Sequence, residues 1–209
     1  MNHFEQAFDW DLRYRYLTNV HVEGSDLITT DIEPGVFYNK NGIKITAFDV
    51  AHLPMDPDTE ELLGLEGATF GYRVDYKGRS VVFSGDTRSL PGSKIIEISK
   101  GVDVLVHETQ IPYPGDSKEA KLANVSMIVH SSPEQVAYVF NETRPRLGIY
   151  HHIIPPETTR DQLLGMTDYD GRMEVAEDLM TLMIGDEITV GMAERMDGQT
   201  FLESDAVDE

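Results

Sequence analysis

The sequence predicts an α/β protein built on a mixed sheet with helices packed against it. Apolar runs at hairpin spacing occupy residues 36–84, and from residue 94 onward strand-like runs alternate with helix-like ones. A chain of 209 residues that is 40% hydrophobic can form one large core, and no apolar run approaches a membrane span. The expectation is a single domain over 1–209, with an acidic, solvated tail over 203–209.

Residues 3–19 carry Phe4, Phe8, Leu12 and Tyr16 at near-helical spacing and read as an amphipathic helix. Strands follow at Val36–Tyr38 and Ile43–Val50, joined by the turn Asn39-Lys40-Asn41-Gly42. Residues 53–67, with Pro54, Pro57 and a cluster of acids, read as an exposed loop or insertion. Thr69–Tyr76 and Ser80–Ser84 flank Lys77-Gly78-Arg79 as a second hairpin. Beyond it come a short helix at Lys94–Lys100 and a buried strand at Val102–Val106 that ends in His107-Glu108. Ser132–Glu142 reads as a helix with a serine cap and Pro133 in its first turn. Leu147–Tyr150 is a strand ending in His151-His152. Helical character returns over 158–165, and Leu179–Ile184 pairs with Glu187–Val190 around Gly185-Asp186.

Thirty-seven acidic against seventeen basic residues leave a formal charge of −20, which opposes a polyanion on a broad basic face. Nucleic acid is therefore not the expected partner. The first residues lack the basic start and apolar stretch of a signal peptide, so the expected compartment is the cytoplasm. The chain has no cysteine, which excludes disulfides and thiolate metal sites. Any metal must be held by His, Asp and Glu, which suits zinc, manganese or iron.

Four polar positions stand at strand exits: His52, Asp86, His107-Glu108 and His151-His152. The ends of neighbouring strands converge on one rim in open α/β sheets, and histidines with a carboxylate are what a borderline metal prefers. Each also has a plainer reading. Asp86 can cap a turn, His52 can be solvated beside the loop, and His107 with Glu108 can be a buried structural pair. His130 can simply precede a helix capped by Ser131 or Ser132. His3 and His21 read as surface residues.

Phe70-Gly71-Tyr72-Arg73-Val74-Asp75-Tyr76, followed by Gly78-Arg79-Ser80-Val81-Val82-Phe83-Ser84-Gly85-Asp86-Thr87, resembles the metallo-β-lactamase superfamily. The branch it resembles contains ribonuclease Z and the arylsulfatase-like hydrolases. Val102-Asp103-Val104-Leu105-Val106-His107-Glu108-Thr109 is similar to that branch's "HEAT" segment, and His130-Ser131-Ser132 to its "HST" loop. Leu147-Gly148-Ile149-Tyr150-His151-His152-Ile153 is similar to the strand carrying its last metal ligand.

The resemblance implies a metallo-β-lactamase fold, an αββα sandwich, and a hydrolase that attacks an anionic ester with metal-activated water. It implies His52, Asp86 and His152 as metal ligands, with Asp86 bridging two ions, zinc by expectation. Tyr150 and Ile153 align the strand so that His152 rather than His151 is the ligand. His130 is implied as a donor to an anionic oxygen, Glu108 as the residue that orients it, and His107 as its neighbour at the rim. The expected substrate is a small phosphodiester or sulfate ester, with tRNA 3′-processing as an alternative.

One element of the family pattern is absent from this sequence: no His-x-His-x-Asp-His run occurs, and only His3 and His21 precede His52. The expectation is therefore a C-terminal portion of the fold with an incomplete first half. Three explanations stand open: a truncated hydrolase, one half of a split enzyme completed by a complementary chain or a second copy, or a non-catalytic binding module. With His52, Asp86 and His152 alone, tight binding of two metals is not expected of this chain.

Overall fold

In a computed structural model, the residues described are 30–52 and 69–192, together with 10, 13, 14, 17 and 18. The expected loop at 53–67 and the tail at 203–209 lie outside the described residues. The chain divides into a short unit, Met1–Ile32, and a larger one, Glu33–Glu209. Of the helix expected over 3–19, the described residues 10, 13, 14 and 17 are helical, and Trp10 stacks on Tyr14 at 5.9 Å.

Glu33–Glu209 is organised by a seven-stranded sheet whose strands lie side by side in chain order. The first four are β1 (Gly35–Lys40), β2 (Ile43–Asp49), β3 (Phe70–Tyr76) and β4 (Arg79–Phe83), paired antiparallel with one another. Their two tight turns are set by Asn41-Gly42 and Lys77-Gly78, where consecutive residues take positive φ as the primed hairpin turns require. The next three are β5 (Val104–Gln110), β6 (Leu147–Ile154) and β7 (Met173–Val175), added in parallel. A final hairpin, β8 (Met180–Ile184) and β9 (Ile188–Met192), forms a separate two-stranded sheet.

The period-2 alternation of the parallel strands divides the core in two. Leu105 and Tyr150 join Phe48 and Val82 under the helices α1 (Lys94–Ile98), α3 (Pro133–Thr143) and α4 (Arg160–Met166), represented by Ile95, Val136, Phe140 and Leu163. Val104, Val106, Leu147 and Ile149 face the other way and pack with Ile188 and Leu182 of the final hairpin. Arg146 latches that hairpin to the sheet, bonding Asp103 at 2.6 Å and the Gly185 carbonyl at 3.1 Å. Between β5 and α3 lie α2 (Lys118–Ala123), capped by Ser117, and a 3-10 turn at Asn124–Ile128. No helix among the described residues is long and apolar enough to cross a membrane.

Among the described residues from 35 onward, the expected strands and helices are present with two instructive differences. Val102–Val106 and Leu147–Tyr150 do not end at their histidines; β5 and β6 run on through them to Gln110 and Ile154. Parallel pairing continues past the apolar runs, His107 opposite Tyr150 and Glu108 opposite His151, and it keeps all seven residues of β5 buried. The helix at Ser132–Glu142 is capped by Ser132 in a full capping box with Gln135.

Candidate metal centre

The site forms where the chain leaves β2 and β4 and at a bulge within β6. Backbone pairing of β4 continues one residue past its end, Ser84 N–H donating to the Val106 carbonyl. Gly85 then turns the chain at φ +61, in a space where an added Cβ would meet the Phe70 carbonyl oxygen at 2.8 Å. Asp86 follows, and the next two residues tie this loop to the exit of β2. Ala51 N–H donates to Thr87 Oγ1 at 3.1 Å, and Arg88 N–H to the Ala51 carbonyl at 2.8 Å. His52 is thereby held beside Asp86, its Nε2 3.8 Å from Asp86 Oδ2.

His152 reaches the same oxygen, Nε2 to Oδ2 3.4 Å. It does so by breaking the pleat. The register of β5 with β6 shifts between Glu108 and Thr109, leaving His152 as the extra residue, in the left-handed region at φ +43. For a residue with a Cβ that conformation costs roughly 1–2 kcal/mol. His151, the residue before it, keeps the strand register; its Nε2 is buried with no hydrogen-bond partner, and burial lowers its pKa.

The inner wall is held differently. Glu108 is fully buried and meets three partners: Ser131 N–H at 2.8 Å and Thr87 N–H at 3.2 Å donate to Oε1, and His130 Nδ1 shares a hydrogen bond with Oε2 at 3.1 Å. Burial pushes its pKa up to about 8, opposed by the two backbone donors and helped by the nearby Asp86 charge. His130 is buried too, and its ring lies 5.0 Å from that of His52 and 5.7 Å from that of His152. Burial lowers its pKa, as does the proximity of His52 and His152. Ligand atoms of His52, Asp86 and His130 all lie within 4.8 Å of one another.

The structure thus brings five of the six expected residues to one place: His52, Asp86, His152, His130 and Glu108. His107 is not at the rim where the sequence expectation placed it. It is fully buried, with Nε2 on Ser89 Oγ at 2.9 Å and Nδ1 on the Glu108 carbonyl at 2.7 Å. Burial depresses its pKa to about 4, so the ring is neutral and pins the Asp86 loop to β5.

Sequence reasoning missed Ser131 and Thr87. Ser131 donates its hydroxyl to the Thr87 carbonyl at 2.6 Å and accepts Ser89 N–H at 2.9 Å, joining the loop after β4 to the start of α3. Their only signal was short polar residues adjoining Asp86 and His130.

The donor set of imidazoles and a carboxylate, without sulfur, fits a divalent ion such as zinc, manganese or iron. A ribonuclease Z of Mycobacterium tuberculosis (strain ATCC 25177 / H37Ra) is 25% identical over 186 residues, covering 83% of this chain and 61% of that protein. A ribonuclease Z of Mycobacterium avium (strain 104) is 26% identical over 184 residues, covering 85% and 61%. The chain therefore spans about three fifths of the length of these relatives. A metallo-beta-lactamase fold protein from Bacillus subtilis superposes with a TM-score of 0.47 at 16% identity, covering 67% of this chain and 49% of that one. The family described as the beta-lactamase superfamily domain matches residues 11–153, more than half of the sequence, and the chain belongs to this metallo-β-lactamase superfamily of hydrolases.

Proposed function

We propose that this chain carries the metal-binding and substrate-facing part of a hydrolase acting on an anionic ester, with a phosphodiester as the first substrate class. The observation that carries the reading is the Asp86 carboxylate oxygen within 3.4 and 3.8 Å of two imidazole nitrogens, beside a third imidazole. His52, Asp86 and His152 would hold the metal. Bound there, a divalent ion supplies a Lewis acid for the ester oxygens and lowers the pKa of a coordinated water. Ser131 and Thr87 present their N–H groups to Glu108, and Glu108 in turn fixes the His130 ring against the same space. A buried carboxylate that receives backbone donors cannot swing away, so the His130 ring orientation is set before substrate arrives.

RNA is the second reading, supported by the relatives that carry the name ribonuclease Z. The formal charge of −20 counts against it, because a polyanion approaching this chain alone meets repulsion. A cytoplasmic setting, supported by the cysteine-free composition, belongs to the same proposal. The test is a substrate panel with zinc or manganese added: an aryl phosphodiester, an aryl sulfate and a tRNA precursor. Phosphodiester turnover that Asp86→Ala reduces to background is the expected result. Undiminished turnover by Asp86→Ala refutes the metal-dependent reading, and preference for the precursor at low salt moves the substrate to RNA.

A further inference from the structure

We propose that Thr87 is a positioning residue for the metal centre: its hydroxyl sets how far His52 stands from Asp86, and with that how tightly a divalent ion is held. The inference rests on the metal-dependent reading above and concerns a side chain that does not itself touch the ion.

Thr87 follows Asp86 directly, is 2% exposed, and has each of its three polar groups engaged. Its N–H donates to Glu108 Oε1 at 3.2 Å, its carbonyl accepts the Ser131 hydroxyl at 2.6 Å, and its Oγ1 accepts Ala51 N–H at 3.1 Å. The partners come from strand β5, from the residues leading into α3, and from the exit of β2. Each is a residue of the site or one covalent step from it. Glu108 holds the His130 ring, Ser131 follows His130, and Ala51 precedes His52. One buried residue thus references His52, His130 and Glu108 to the Asp86 loop, where ligand atoms of His52, Asp86 and His130 gather within 4.8 Å.

Two of these ties are made by the backbone, and other residues at 87 could supply them. The tie to Ala51 needs a side-chain acceptor. Regular pairing of β2 with β3 ends at Asp49, and Val50 is still held by Thr69. Ala51 then turns to the Asp86 loop, its carbonyl accepting Arg88 N–H at 2.8 Å. The Thr87 hydroxyl and the Arg88 amide together clamp both backbone groups of Ala51, as a partner strand would. Threonine suits this task because branching at Cβ restricts χ1 and presents the hydroxyl in a defined direction.

The clamp acts one residue before His52, whose side chain and that of Asp86 are 32% and 40% exposed. Burial does not hold such side chains, so their spacing is inherited from the backbone beneath. Two donors on one zinc stand about 3.4 Å apart, given bonds of about 2.1 Å. His52 Nε2 and Asp86 Oδ2 wait at 3.8 Å, so little movement is needed to take the ion. Donors set near their bound geometry bind more tightly because less freedom is lost on binding.

The test compares Thr87→Val, which keeps the branched shape without the acceptor, with Thr87→Ser, which keeps the acceptor. Thr143→Val is the control, since it removes a buried hydroxyl bonded to the Val139 carbonyl at the far end of α3 from His130. Zinc affinity of the full chain is measured by competition with a chromophoric chelator. Histidine ring signals are followed by proton–nitrogen NMR with all metal removed. Thr87→Val should weaken zinc binding by about 10–100-fold, the loss typical of a partner that orients a ligand. Thr87→Ser should recover most of that affinity, and Thr143→Val should leave it unchanged. In the metal-free protein Thr87→Val should shift the His52 ring signals and leave those of His107 in place.

Unaltered zinc affinity in Thr87→Val, no recovery in Thr87→Ser, or an equal loss in Thr143→Val overturns the proposal. If Thr87→Val does not fold, the unaltered chain decides: zinc must slow hydrogen exchange at the Ala51 amide, because a tie that strengthens binding is strengthened by it in return. Exchange unmoved by bound zinc overturns the role. Failure of the metal-dependent reading looks different. An unaltered chain that takes up no zinc refutes that reading, and the His52 signals of the metal-free variants then decide this one.

Discussion

The two walls of the metal centre are built on opposite principles. On the inner wall Glu108 is fully buried and His130 nearly so, and the carboxyl group engages three partners from two loops. On the outer wall the side chains of His52, Asp86 and His152 are 32%, 40% and 44% exposed, and their close partners among the described residues are one another. The inner wall is assembled by folding itself, because its polar groups have no other way to be satisfied once water is excluded. The outer wall gains little from folding and even bears the cost of a left-handed His152. Such strain is what a site accumulates when its geometry serves a ligand, and a cation set against Asp86 is what would draw these side chains together.

The largest effect that should break this contrast comes from Glu108→Ala. It leaves the Thr87 and Ser131 N–H groups and the His130 ring without their acceptor in a closed interior, at about 1–3 kcal/mol for each stranded group. A loss of about 3 kcal/mol or more in urea unfolding, measured in chelator, is expected from these stranded groups together. A loss below about 1 kcal/mol would mean that the inner wall is held by something other than this carboxylate.

The same contrast explains what could be read from the sequence. The antiparallel half was legible because its signals are local: Asn41-Gly42 and Lys77-Gly78 supply the positive φ of hairpin turns, and apolar runs flank them. His52, Asp86 and the pair His151-His152 stood out as polar positions where an apolar run gives out, while the choice of His152 over His151 came from the family resemblance. What escaped depends on partners distant in sequence. Strands β5 and β6 were read as stopping at their first histidine, yet cross-strand pairing carries them on and bulges His152 out of register. Ser131 acts through a hydrogen bond to Thr87, 44 residues away, and a serine beside a histidine announces nothing of that. Strand β7, three residues long, and the Ser117-capped helix α2 have too little periodicity to be seen.

A middle-sized effect should separate the walls by pH. His107 lies beneath the inner wall with a pKa depressed from 6.5 to about 4 by burial. Between those values the unfolded chain binds a proton that the folded chain refuses. Its contribution is therefore complete above pH 6.5 and is lost as pH falls through about 4. Over that interval the loss amounts to about 3.4 kcal/mol, from 1.36 kcal/mol per unit. His107→Gln, which keeps a donor and an acceptor, should flatten that part of the acid limb in urea unfolding measured from pH 7 to pH 4. An unchanged limb would show that the ring is reached by solvent and is not part of the buried frame.

The smallest effect is the most telling for the outer wall. Asp86→Ala removes a carboxylate that is 40% exposed and faces two partly exposed imidazoles, and ion pairs in such settings contribute about 0–1 kcal/mol. Removing one negative charge from a chain at −20 also relieves some self-repulsion, which offsets part of that loss. In chelator the stability change should stay within about 0.5 kcal/mol, the range of ordinary surface substitutions. With zinc present the unaltered protein should instead rise in stability as the metal is added, because an ion that binds only the folded state shifts the equilibrium toward it. Asp86→Ala should not respond. A variant that is badly destabilised without metal would place Asp86 with Glu108, as part of the frame rather than part of the site the frame presents.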